Sequence, residues 1–190
     1  MKTPLRFQVT EYDCGITSVI NAISYMIERE DIDPGLINMI IFNSHVSQSC
    51  FNSKGISTFS MKYITNLLNS YFKIANIKIV CKILKDKKLN IENEECLKCL
   101  KGNGTIIARV WQDCEHYALI TKIDKEYVYL FDPYYLDNKE YNDDDCVDII
   151  YDKPLEYNRR VKIERLNSGT KKDFALVKGK NKQIILMCKN

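Results

Sequence analysis

At 190 residues the chain suits one domain with a hydrophobic core large enough to stand without disulfide staples. Its net charge is only +3 and the basic residues are scattered, so neither nucleic-acid binding nor a membrane-surface patch is expected. Met1-Lys2-Thr3-Pro4 leads into polar sequence with no apolar signal region or membrane-spanning stretch. Eight cysteines without an export signal therefore predict reduced thiols in a cytoplasmic protein. The frequent Ile, Lys and Asn match the usage of an AT-rich bacterial genome.

The first element follows from periodicity. After Gln8-Val9-Thr10-Glu11-Tyr12-Asp13, apolar residues fall at Ile16, Val19, Ile20, Ile23, Met26 and Ile27, the stripe of an amphipathic helix. Asp13 is placed as N-cap and Cys14 at the first helical position, with Gly15 leaving room beside it. Asp33 and Pro34 predict the start of a short second helix, with Leu36, Ile37, Ile40 and Ile41 on its apolar side. Residues 43–55 are polar and aperiodic and read as an exposed loop containing His45. A third helix is expected from Ser57 or Thr58 to about Phe72, turning Phe59, Ile64, Leu67, Leu68 and Tyr71 inward.

The period then changes. Residues 77–84 read as a strand, 93–100 as a short helix stopped by Gly102, and 105–111, 116–123 and 127–132 as strands. The Asp124-Lys125-Glu126 link makes the last two a hairpin. Further strands are expected at 147–151, 160–166, 174–177 and 183–188. Helices first and antiparallel strands after is the α+β pattern. The expected organisation is one domain over 1–190, with a helical lobe (1–75), a sheet lobe (76–135) and additional C-terminal strands (136–190).

Alone, Cys14 reads as a small apolar helix residue. Yet a helix N-terminus presents unpaired N–H groups and the positive end of the macrodipole, which favour the attacking thiolate. A cysteine nucleophile also needs a base and a group to orient that base. His116 opens a strong strand and Asp132 ends the next one, so hairpin pairing can bring them together at one end of the sheet. Gln8, six residues before Cys14, can supply an amide to a developing oxyanion beside the Cys14 N–H. The set points to thiol-dependent attack on a carbonyl, with no metal or organic cofactor needed.

Gln8…Asp13-Cys14-Gly15, His116-Tyr117-Ala118-Leu119-Ile120 and Phe131-Asp132-Pro133 together resemble the papain-like cysteine peptidases. They are similar in particular to the bacteriocin-leader (double-glycine) peptidases found at the front of bacterial peptide-exporting transporters. The resemblance spans residues 5–135. It implies a papain-like fold, a peptide or amide substrate, Cys14 as nucleophile, His116 as base, Asp132 as orienter and Gln8 as oxyanion donor. No transporter segments follow, so it implies a free-standing member, and Ile16-Thr17-Ser18-Val19 replaces the family's small-residue run. An acyltransferase or amide-forming enzyme could use the same acyl thioester, and a peptide-binding module the same fold.

The remaining candidates read as structural. Cys96-Leu97-Lys98-Cys99 has no partner pair nearby, so packed thiols are expected rather than a metal or redox site. Cys114 is a thiol close to His116, and 143–145 is an acidic loop. Trp111, Tyr117, Tyr134 and Tyr135 flank the three site residues; they read as core packing, although one or two of them could line a substrate groove.

Overall fold

The computed structural model describes residues 1–44, 55–84, 90–136, 141 and 144–190. Helices α1 (Cys14–Met26), α2 (Pro34–Asn43) and α3 (Thr58–Ile74) come first. Strand β1 (Ile79–Leu84), helix α4 (Glu94–Lys101) and strands β2 (Thr105–Gln112), β3 (Cys114–Ile123) and β4 (Tyr127–Phe131) follow. Short β5 (Val147–Ile149), β6 (Arg159–Lys162), helix α5 (Ile163–Asn167) and β7 (Ile184–Lys189) complete the α+β architecture. The strands form one antiparallel sheet in the order β1-β7-β2-β3-β4-β6-β5.

The sheet is covered on both faces. Helices α1, α2 and α3 pack Val19, Ile23, Leu36, Ile40, Met61, Ile64 and Phe72 against Ile107, Tyr117, Leu119 and Ile185. On the other face Cys96, Cys99 and Leu100 of α4 and Leu166 of α5 meet Ile106, Ala108, Ile120, Leu130 and Val161. Double coverage explains why β2 reads as an almost unbroken apolar run instead of alternating. Each large aliphatic side chain buried this way contributes about 1.5–3 kcal/mol on leaving water.

Local signals set most boundaries. The Asp33 and Ser57 side chains accept the N–H groups of Gly35 and Ser60 and cap α2 and α3. Asn93 likewise caps α4, and Gly102 ends it. Several expectations need correction. Phe59 points outward, 60% exposed, while Met61 and Phe72 fill the interior. Residues 160–166 are not one strand, because the chain leaves β6 at Lys162 and turns into α5. Residues 174–177 are not a regular strand: they run beside β2, with Phe174 N–H on the Trp111 carbonyl and Val177 N–H on the Arg109 carbonyl, but make only the isolated bridge Val110–Leu176, and Phe174 at φ 63° interrupts the extended backbone. The strand at 147 stops at Ile149. The loop around His45 lies outside the described residues.

Candidate active site

Cys14 opens α1, as the periodicity predicts, but Asp13 does not cap the helix with its side chain. The Asp13 carboxylate instead accepts the N–H groups of Val9 (3.1 Å) and Thr10 (2.8 Å) and the Thr10 hydroxyl (2.7 Å). It thereby folds the segment that leads into the helix. The Gln8 N–H donates to the Pro133 carbonyl at 2.8 Å, which fixes that segment beside the end of β4. Gly15 is required by close approach: an added Cβ would run into Ile56 Cγ2 and lie 3.1 Å from Tyr117. The first turn of α1 is thus pressed against β3, where Ser18 Oγ donates to the Tyr117 carbonyl at 3.1 Å.

The β2–β3 hairpin turns tightly through Asp113, at φ 53°, and places His116 opposite Val110. His116 Nε2 meets Asp132 Oδ1 at 2.8 Å. That leaves Nδ1 for Cys14, whose thiol hydrogen-bonds the imidazole. Burial pushes the Cys14 thiol up, but His116's hydrogen bond and positive charge, with the N–H groups of Tyr117 and Gly15, bring it below its ordinary value. Burial also works against the charged form of His116, yet the Asp132 carboxylate and the Cys14 sulfur raise it from 6.5 to about 10. Both shifts run in the same direction, favouring the charged forms of the two partners, a thiolate beside an imidazolium.

Asp132 is fully buried and heavily held. Its side chain accepts from the Tyr134 N–H (2.9 Å) and from Gln112 Nε2 (3.2 Å), and Arg159 Nη2 lies 3.6 Å away. Asn158 clamps the Asp132 backbone: its Oδ1 accepts the Asp132 N–H at 2.7 Å and its Nδ2 donates to the Asp132 carbonyl at 2.8 Å. Asn158, Arg159 and Gln112 were not among the sequence-derived candidates. The 26-residue separation of Asn158 from Asp132 leaves only a buried amide and a buried arginine in a short strand as their signal.

A cleft of about 470 Å³ runs past Cys14 and His116 between Tyr12, Ile56 and Ser57 on one side and Arg109, Glu115 and Tyr117 on the other. Arg109 and Glu115 pair with each other on that second wall at 2.8 Å. Gln8 does not line this cleft. It borders an adjoining cavity of about 190 Å³ with Gln112, Cys114, His116 and Tyr134. There Gln8 Nε2 donates to the Thr10 carbonyl at 2.8 Å, while Oε1 is buried without a partner among the described residues. Cys114 is exposed at the cleft mouth, and burial plus the charges of Cys14, Asp113 and Glu11 push its thiol up. Of the four aromatics, Tyr117 lines the cleft and Tyr134 the adjoining cavity. Tyr135 is exposed and packs on Phe7, and Trp111 lies under Lys171. Asp144 of the acidic loop pairs with Arg165, and Asp143 lies outside the described residues. Among the described residues no group of side chains is arranged to hold a metal ion, and no helix is long and apolar enough to cross a membrane.

No protein-family model and no curated protein matches the sequence. Among solved structures, the chain is similar to the crystal structure of a double glycine motif protease from an AMS/PCAT transporter in complex with the leader peptide. The TM-score is 0.51 and the identity 12%, over 98% of this chain and 92% of that one. At that identity the likeness speaks for architecture alone: the chain has the α+β fold of the papain-like cysteine peptidases.

Proposed function

We propose that the chain is a thiol-dependent peptidase that cleaves a peptide bond through an acyl thioester on Cys14. The observation that carries this reading is His116 held between Asp132 at 2.8 Å and a Cys14 thiol drawn below its ordinary value in spite of burial. The Cys14 thiolate attacks the scissile carbonyl, forming a C–S bond and an oxyanion. The His116 imidazolium gives its Nδ1 proton to the leaving amine as the C–N bond breaks. His116 then takes a proton from water, which attacks the thioester and releases the acid and the thiolate. Asp132 holds the imidazole through Nε2. The oxyanion is held by the Cys14 N–H and by Gln8, whose amide swings from Thr10 toward the cleft when substrate fills it.

The solved neighbour carries a leader peptide, which supports a leader-type peptide as the substrate class for this cleft. The test is cleavage of such peptides by the intact chain and by Cys14→Ala and Gln8→Ala. Cys14→Ala abolishes turnover. Gln8→Ala lowers kcat by on the order of 10²–10³ while Cys14 alkylation by iodoacetamide keeps its rate. Native alkylation of Cys14 no faster than that of Cys114 would overturn the reading.

A further inference from the structure

The Cys96-X-X-Cys99 motif is not absorbed by the peptidase site. The two thiols lie on α4, on the face of the sheet opposite α1. Cys99 faces Cys188 on β7, a residue 89 positions later, with the two sulfurs 2.6 Å apart. Two unbonded thiols repel at that separation, which is only about 0.6 Å beyond a disulfide bond. We propose that Cys99 and Cys188 are a disulfide-forming pair that staples β7 to α4.

Three further observations select this pair. Gly104 keeps the place open for the Cys99 sulfur, since an added Cβ would come within 2.6 Å of Cys99 Sγ and of the Met187 carbonyl. Cys188 is half-buried at the sheet end and open to a small oxidant, whereas Cys99 is only 3% exposed and shielded. The hydrogen bond between the Cys188 and Cys99 sulfurs, with the charge of Lys82, draws the Cys188 thiol down, while Cys99 is pushed up. Neighbouring thiols are excluded. Cys96 is fully buried and pushed up to about 12. Cys81 stands opposite Met187 in the β1–β7 register and so points to the other face.

The chemistry follows from this asymmetry. The Cys188 thiolate attacks one sulfur of a small-molecule disulfide such as oxidised glutathione, forming a mixed disulfide and expelling one glutathione thiolate. Cys99 gives up its proton and attacks the Cys188 sulfur, and the second glutathione thiolate leaves. Two protein thiols lose two electrons and two protons, and one oxidised glutathione becomes two reduced molecules. The loop closed from 99 to 188 contains His116, Asp132 and Asn158 but not Cys14.

The experiment uses full-length Cys14→Ser protein, so that the reactive thiol of the site plays no part. It is reduced, exposed to oxidised glutathione, and mapped by digestion without reductant. The peptides bearing Cys99 and Cys188 are expected joined, at a mass about 2 Da below their reduced sum, and the thermal midpoint is expected to rise by several degrees. Cys96→Ser leaves the link intact. Cys99→Ser leaves a glutathione adduct on Cys188 and no thermal gain. A Cys96–Cys99 link, or adducts on Cys188 in the protein that retains Cys99, overturns the proposal.

Discussion

The start of α1 and the region of α4 and β1 bury the same kind of side chain to opposite effect. Under α1, Cys14 is 7% exposed and its thiol is drawn below the ordinary value. Cys96, fully buried under α4, and Cys81, 5% exposed in β1, are both pushed up to about 12. Burial penalises every one of these thiolates, so burial does not make Cys14 reactive. The difference is an imidazolium anchored by Asp132, joined by the N–H groups of Gly15 and Tyr117. A helix N-terminus is a favourable place for a thiolate, but here a hydrogen-bonded counter-charge decides the outcome.

That contrast can be broken most completely at His116. His116→Ala removes the counter-charge, so Cys14 should come to resemble Cys96. Cleavage should fall by on the order of 10³-fold or more. The pH midpoint of Cys14 alkylation should move from below the ordinary thiol value of 9.0 to above it. A midpoint unmoved in the variant would mean that something other than His116 holds the thiolate.

A pH series on the unmutated chain sharpens the same comparison. Alkylation needs only the thiolate and should rise through a midpoint below 9.0 and then hold. Cleavage also needs the His116 proton and should decline as pH passes about 10. Stability has a matching sign. His116 is raised from 6.5 to about 10, so its contribution is complete below pH 6.5 and is lost progressively as pH rises to 10. Urea unfolding at both ends of that range should show the drop, and His116→Ala should flatten it.

The smallest expected effect tests the support behind Asp132. Asn158→Ala strips both backbone hydrogen bonds and leaves two buried polar groups unpaired, costing about 1–3 kcal/mol of stability. It should lower kcat by about tenfold through misplacement of His116. Alkylation at pH 7 should fall less, because the imidazole keeps its charge. An unchanged kcat alongside lost stability would reduce Asn158 to a purely structural part.

Local pattern carried much of the architecture. The 3.6-residue stripe after Asp13 places Cys14 at a helix start, and the 124–126 turn puts His116 on β3 and Asp132 one residue past the end of its partner β4. Pattern fails where pairing is distant. Nothing near Asn158 or Arg159 announces that β6 lies against β4, so the clamp on Asp132 stayed hidden. It also fails where a short apolar run suits either period. Ile163–Leu166 reads as a strand yet forms most of α5, because leaving the sheet lets Leu166 pack beneath it. The six-residue offset puts Gln8 on the segment entering α1 but does not set its aim: its amide turns to the Thr10 carbonyl, because the Asp13 carboxylate folds the intervening segment instead of capping the helix.

The position of β7 bears on how the molecule comes into being. Residues 184–189 are the last strand in chain order, yet they lie between β1 and β2 and hydrogen-bond to both. A nascent chain leaving the ribosome thus carries Cys14, His116 and Asp132 well before the strand that joins β1 to the rest of the sheet. Zippering waits on that late arrival, a long-range closure of the kind that slows folding. The union of β1 with the rest of the sheet should therefore be completed only once those six residues are free of the exit tunnel.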